Sequence, residues 1–240
     1  MGRAHEVRKS AMEKTAAQKT KVYSRFGKEI YMAAKSGVPD PDMNQTLKRV
    51  IEKAKAAQVP SDVIKRNIDK AKGNSTEDYF ESRYEGFGPG ASTVIIDVLT
   101  DNANRAIGDV RTCFNKAHAN LGVKGSVSHS YDNFGILSFA GNDEEAVLDA
   151  LIMADVDVKE LECDDGSMTV YVEPTDLYKA KDAIDGVYPD ITYDVLESQM
   201  MPQEYVTLED EEQLMLFNRL VNLLDEVDDV QRVYHNVELT

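Results

Sequence analysis

Residues 157–173 read DVKELECDDGSMTVYVE, and this stretch decides how the chain around it folds. Two short runs with β-strand character flank Asp165-Gly166. An Asp-Gly pair between alternating apolar residues is a strong signal for a two-residue hairpin turn. The sequence therefore predicts two antiparallel strands, residues 157–163 and 168–173, that are joined at this pair.

The segments on either side of the hairpin complete a folding unit. Before it, the sequence predicts a strand at 134–139 and a helix at 142–154; after it, a helix at 174–184 and a strand at 191–197. The resulting order, βαββαβ, is that of ferredoxin-like domains. We therefore predict a ferredoxin-like domain over residues 134–199.

The flanking segments do not each form a complete core. The sequence of residues 79–131 predicts a strand at 91–100, a helix capped by Asn102 and a short strand at 125–131. These elements provide too few strands for a closed sheet. Residues 205–240 supply one more helix and one more strand, which cannot bury a core alone. We expect them to return to the sheet of 79–131, so that the ferredoxin-like domain is an insertion.

A glycine-dense run, GFGPG at residues 86–90, leads into the predicted strand. Such a run could cradle a phosphate, but a P-loop requires Lys-Ser/Thr after its last glycine, and a dinucleotide-binding loop opens a helix. Because this run enters a strand, a tight turn is the favoured interpretation.

The N-terminal third differs from the rest of the chain in charge. Residues 1–73 hold 17 Lys and Arg against 8 Asp and Glu, a net charge of +9. The whole chain carries 27 Lys and Arg against 43 Asp and Glu, a net charge of −16. Residues 74–240 therefore hold 10 Lys and Arg against 35 Asp and Glu, a net charge of −25. A split of this size is typical of a polyanion-binding module on an acidic body.

Three short helices are predicted within this basic segment, at 19–35, at 43–57 and from Ser61 to about residue 72, after a flexible basic arm at 1–18. The expected fold class is α+β with three lobes. They are the helical bundle of 1–73, the discontinuous domain of 79–131 plus 205–240, and the inserted acidic domain of 134–199.

We expect the cations of the arm and the three helices to contact phosphates, because Lys and Arg release counterions when they neutralise a nucleic acid. The candidate binding residues are Arg3, Arg8, Lys9, Lys14, Lys19, Lys21, Arg25, Lys28, Lys35, Lys48, Lys55, Lys65 and Arg66. Phosphate contacts carry no sequence information, so DNA and RNA both remain open as the target.

Enzymatic chemistry is not indicated. The chain contains no HExxH, GxSxG or P-loop motif, its four histidines are scattered, and its two cysteines lie 50 positions apart. We therefore predict no catalytic residue, no metal, no cofactor and no small-molecule substrate. No apolar run approaches the ~20 residues of a membrane span, and no secretory signal is visible, so the expected location is the cytoplasm.

Several segments together resemble one known family. They are 28–30 (KEI) with 33–35 (AAK), 39–41 (PDP) with Asn44, 51–55 (IEKAK), 84–90 (YEGFGPG), 99–102 (LTDN) with 104–105 (NR), 120–122 (NLG) with 125–127 (GSV), 228–231 (DDVQ) and 233–236 (VYHN). This pattern is similar to that of the YebC/PmpR-type proteins and covers essentially the full length. The start, GRAHEVR at 2–8, departs from the GHSKWAN common in that family.

The resemblance implies a helical N-terminal domain, two α+β domains and non-catalytic work on nucleic acid or the ribosome. Two hypotheses follow. One is a DNA-binding transcriptional regulator, as members of the family are described. The other is a ribosome-bound translation factor, since the mitochondrial member is described as a translational activator. A purely structural scaffold would leave the charge split without a role.

Overall fold

The computed structural model describes residues 19–73 and 78–238. The predicted basic arm, with Arg3, Arg8, Lys9 and Lys14, lies outside these ranges, as does most of the linker before the first strand. The elements in chain order are α1 (Lys19–Lys35), α2 (Gln45–Ala56), α3 (Ser61–Lys72), β1 (Phe80–Phe87), β2 (Thr93–Thr100), α4 (Ala103–Lys116), β3 (Asn120–Leu121), β4 (Tyr131–Ala140), α5 (Glu144–Met153), β5 (Val158–Asp164), β6 (Ser167–Val172), α6 (Leu177–Val187), β7 (Tyr193–Pro202), α7 (Glu211–Glu226) and β8 (Val230–His235).

The first three helices share a hydrophobic cluster of their own, and together we call them the helical unit. Apolar side chains at helical spacing, among them Ile30, Leu47 and Ile68, meet at its centre. Helix α1 ends at Lys35, as predicted. Helix α2 begins later than predicted because Asn44 is its N-cap and accepts a hydrogen bond from the backbone N–H of Leu47.

The first sheet has the strand order β3-β1-β2-β8 and is antiparallel throughout. Helices α4 and α7 cover one of its faces, with Val110, Phe114, Phe217 and Leu220 in the shared cluster. The last helix and the last strand thus return to this sheet. They return because an isolated helix and strand would leave their apolar sides in water.

One predicted strand of this region is wrong. Residues 125–130 form turns and a short 3₁₀ segment, Ser128–Ser130, and only Tyr131, which begins β4, is in a strand. The reason is a buried carboxylate. Glu85 accepts hydrogen bonds from the backbone N–H groups of Gly125, Val127 and Ser128 at 2.7–2.9 Å, so these groups are not available to a neighbouring strand.

The glycine-dense run forms a turn between β1 and β2. Gly88 N–H donates to the carbonyl of Ser92, and Gly90 has φ +65°, which favours glycine. Gly86 belongs to β1 and not to the turn. A Cβ there would lie 2.3 Å from a ring carbon of Phe114, so the glycine permits close packing of α4 on the strand.

The second sheet has the order β5-β6-β4-β7, which is the arrangement of a split βαβ unit. Asp165 and Gly166 both have positive φ, 49° and 75°, as a two-residue hairpin turn of type I′ requires. Helices α5 and α6 cover one face. Two antiparallel sheets with helices confirm the predicted α+β class. No helix in the described ranges is long and apolar enough to cross a membrane.

Candidate nucleic-acid interface

Four of the predicted binding residues form an exposed set on the helical unit, which we call the outer cations. Lys48 and Lys55 lie on α2, and Lys65 and Arg66 lie on α3. All four side chains are exposed. None of them has a carboxylate partner within 4.0 Å among the described residues, so their charges are available to an external anion.

Three other predicted residues, all on α1, point toward the first sheet instead of solvent. Lys28 Nζ lies 2.9 Å from Asp229 Oδ1 and also donates to the backbone carbonyl of Asp228. Arg25 donates to the carbonyl of Gln231 at 3.3 Å, and Lys21 Nζ lies 3.9 Å from Asp225 Oδ1. These three cations are half-buried against the acidic body and do not belong to the outer cations.

Asp229 is the centre of this contact. The residue is only 4% exposed and accepts hydrogen bonds from Lys28, from Arg105 at 2.8 Å and from Thr100 at 2.8 Å. Burial alone would raise the pKa of this carboxyl, but the hydrogen bonds from Lys28, Arg105 and Thr100 outweigh it and lower the pKa of Asp229. The carboxylate is therefore held ionised.

Two cations of α2 contact the part of the chain that contains the second sheet, residues 131–202, which we call the second-sheet unit. The sequence did not reveal this role. The Arg49 guanidinium lies 4.1 Å from the ring centroid of Tyr178, and Lys53 Nζ lies 5.6 Å from the same centroid. Burial, helped by the charge of Arg232, lowers the pKa of Lys53. No local signal separates such a residue from Lys48 or Lys55, because all of them are cations on one amphipathic helix.

The remaining predicted residues are placed as follows. Lys35, at the end of α1, lies 2.5 Å from Asp78, and this hydrogen bond raises the pKa of Lys35. Lys19 is the first described residue of α1. Arg3, Arg8, Lys9 and Lys14 are outside the described residues.

The acidic body offers few free cations. In the second-sheet unit, residues 131–202 carry 18 Asp and Glu against 3 Lys, and each lysine is paired with a carboxylate. In the rest of the described body, Arg111, Lys116, Lys124 and Arg219 have no ion pair, and the first two lie on α4. No group of three His, Cys, Asp or Glu residues in the described chain has the geometry of a metal site.

The geometry defines a mixed α+β protein in which a cationic helical unit contacts an acidic body through α1 and through Arg49 and Lys53 of α2, and presents the outer cations of α2 and α3 to solvent. Comparison with known proteins gives its family. The profile of the TACO1/YebC protein N-terminal domain matches residues 3–74, and that of the TACO1/YebC second and third domain matches residues 79–237. The chain belongs to the TACO1/YebC family.

Individual relatives agree with this assignment. A protein of Vibrio campbellii named "Probable transcriptional regulatory protein" is 53% identical over 100% of both chains, and one of Pseudoalteromonas translucida with the same description is 52% identical over 98% of both. The crystal structure of a conserved hypothetical protein from Aquifex aeolicus has a TM-score of 0.76 and 31% identity, and covers 93% of this chain and 91% of that one.

Proposed function

We propose that this protein is a non-enzymatic, nucleic-acid-binding regulator of gene expression that binds through the outer cations of α2 and α3. The supporting observation is that these four charges are exposed and unpaired, while Lys21, Arg25 and Lys28 are engaged by the body. The names of the relatives favour duplex DNA and transcription as the target. Lys19 and the cations of residues 1–18 would add to the same electrostatic attraction.

The proposal includes the division into three lobes. Three separate hydrophobic clusters support it, one in the helical unit and one on the helix-covered face of each sheet. In this arrangement the acidic body repels phosphates and limits nucleic acid to the outward side of the helical unit.

A second candidate function is that of a translation factor that binds ribosomal RNA. One observation favours it. Asn67, the single amide side chain of α3, donates to the carbonyl of Val63 within its own helix instead of pointing outward. Because Asn and Gln are the side chains that pair with adenine, α3 presents no amide for reading adenine, and its outward Lys65 and Arg66 are also the residue types that contact phosphates. Recognition by backbone shape and charge suits structured RNA as well as it suits DNA.

The test is a titration with duplex DNA of varied sequence and with structured ribosomal RNA fragments at several salt concentrations. The double variant Lys65→Ala/Arg66→Ala should lower the slope of log Kobs against log salt by about 2. The matched control, Arg111→Ala/Lys116→Ala, removes two unpaired cations of α4 and should leave the slope unchanged. Unaltered binding by the first variant would disprove the proposed interface.

The same titration separates the two targets. A DNA-binding transcriptional regulator binds one duplex sequence at least about a thousandfold more tightly than the others. A ribosomal RNA-binding factor shows equal, weak affinity for every duplex and higher affinity for the RNA fragments. The full chain then sediments with ribosomes, and RNase treatment abolishes this association.

A further inference from the structure

Helix α5 is apolar on more than its buried side. It buries Val147 and Leu151 in the cluster of the second-sheet unit. Leu148, Ile152 and Met153 of the same helix face solvent and are 40%, 62% and 89% exposed. No other helix in the described ranges has more than one large apolar side chain that is exposed. A helix that is apolar around most of its circumference is normally buried, so α5 has the composition of a helix with a second neighbour.

The exposed side chains of α5 form one continuous surface. Leu148 and Ile152 are four positions apart, which makes them neighbours along the helix, and Met153 lies beside Ile152. The other outward positions continue the same two rows toward the N-terminus of the helix and carry acids. We call this surface the α5 outer face, and it consists of Glu144, Glu145, Leu148, Asp149, Ile152 and Met153.

The carboxylates of the α5 outer face have no counterion within the protein. None of Glu144, Glu145 and Asp149 has a cation within 4.0 Å among the described residues. The helix itself contains no Lys or Arg, and each lysine of the second-sheet unit is paired with another carboxylate. A partner that covers the apolar side chains must therefore bring positive charge of its own.

Charge also decides between the possible occupants of this surface. The second-sheet unit carries 18 Asp and Glu against 3 Lys, a net charge of −15. Two copies that packed through α5 would bring carboxylates such as those of Asp149 against each other, and such like-charge contacts are unfavourable. Phosphates are repelled for the same reason. The chemistry of the surface therefore favours a basic protein segment over a second copy or a nucleic acid.

We propose that the α5 outer face is a docking surface for a basic amphipathic helix of another protein. A row of apolar side chains on that helix covers Leu148, Ile152 and Met153, and its Lys or Arg side chains pair with the three carboxylates. A helix fits because α5 presents a straight surface about 15 Å long whose apolar positions repeat at helical spacing. This surface lies on the second-sheet unit, and the outer cations lie on the helical unit, so the two sites are separate.

The experiment measures the binding of a labelled synthetic peptide to the full-length protein by fluorescence anisotropy. The peptide has leucines along one side and lysines along the other, and it is about 18 residues long, because shorter isolated helices are marginal in water. The variant Ile152→Gln/Met153→Gln should weaken peptide binding about tenfold. The matched control, Met43→Gln/Met215→Gln, replaces two exposed methionines outside the second-sheet unit and should leave peptide binding unchanged.

A second pair of variants tests the carboxylates. Glu145→Gln/Asp149→Asn should weaken peptide binding about threefold and reduce its dependence on salt. The control Glu211→Gln/Glu212→Gln removes two exposed acids from α7 and should bind the peptide as the original chain does. All of the replaced side chains are exposed, and circular dichroism checks that each variant retains the fold.

Four outcomes would overturn the proposal. Unchanged peptide binding by Ile152→Gln/Met153→Gln is the first, and an equal loss of binding in either control is the second. The third is equal affinity for a peptide of the same composition with its leucines scattered, which would show general charge attraction. The fourth is self-association of the protein that Ile152→Gln/Met153→Gln abolishes in sedimentation equilibrium, because a second copy would then be the occupant. None of these measurements depends on nucleic-acid binding.

Discussion

Lys28 Nζ lies 2.9 Å from Asp229 Oδ1, and this ion pair joins the first helix to the residue that precedes the last strand. The two side chains are 14% and 6% exposed, so the pair is shielded from solvent. Arg105 and Thr100 bind the second oxygen of the same carboxylate. One buried acid therefore connects the helical unit, α4 and β2.

Asp229→Asn should destabilise the protein by about 3 kcal/mol at pH 7, because it removes one partner of a buried pair and leaves Lys28 without its counterion. Urea unfolding at fixed ionic strength measures the change. Asp225→Asn is the matched control. Its carboxylate is 3.9 Å from Lys21 and 46% exposed, so a loss below about 1 kcal/mol is expected.

The pH dependence of this effect follows from the lowered pKa of Asp229. A carboxyl whose pKa is lower in the folded state stabilises the protein above its unfolded pKa of about 3.9 and loses this contribution as pH falls through the folded pKa. The stability gap between the original chain and Asp229→Asn should therefore narrow below about pH 4. A gap of constant size from pH 7 to pH 3 would contradict this assignment.

Glu85→Gln should cost about 2 kcal/mol, because a glutamine amide has one acceptor oxygen for three backbone N–H groups. Burial raises the pKa of Glu85, but the N–H groups of Gly125, Ser128 and Val127 outweigh burial and lower it. Hydrogen exchange at these three amides should accelerate in the variant. Hydrogen exchange within helices α5 and α6 of the second-sheet unit should stay unchanged, since Glu85 does not contact these helices in the described structure.

Gly86→Ala and Gly108→Ala form a matched pair with opposite expected signs. A Cβ at Gly86 would lie 2.3 Å from Phe114 Cε1 and 2.8 Å from the Asn120 carbonyl, so the substitution should cost about 1–3 kcal/mol. A Cβ at Gly108, inside α4, meets nothing within 4 Å, and alanine there should stabilise by about 1 kcal/mol. Thermal unfolding of both variants measures the difference; a stabilising Gly86→Ala would show that β1 and α4 pack less closely.

Much of the strand arrangement was accessible from the sequence, because it depends on local patterns. The Asp165-Gly166 turn is set by two residues that accept positive φ, and alternation around it sets the faces of β5 and β6. The return of the last strand to the first sheet was expected from a different argument, that a lone helix and strand cannot bury their own core. Its pairing with β2 was not predicted.

The interface was less accessible, because a lysine carries the same local pattern whether it faces water or another unit. Lys28 and Lys48 both lie on amphipathic helices, yet one meets Asp229 and the other is exposed. The two lysines differ because Lys28 meets the carboxylate of Asp229, which is about 200 positions away in the chain. The Glu85 contact is similar, since a predicted strand became a turn through a carboxylate 40 residues earlier.

His235 should make the stability of the protein depend on pH below its unfolded pKa. Its ring lies edge-on to Phe217 with centroids 5.1 Å apart, and burial lowers its pKa. A histidine with a lowered pKa stabilises the folded state above its unfolded pKa of about 6.5, and this contribution is lost as pH falls toward the folded pKa. The free energy of unfolding should therefore decrease below pH 6.5, by at most about 1.4 kcal/mol per pH unit from this group. His235→Phe should reduce this decrease in the free energy of unfolding. His129→Gln, which changes an exposed side chain, should leave the decrease as it is. An unchanged pH dependence of unfolding in His235→Phe would assign the decrease to other groups.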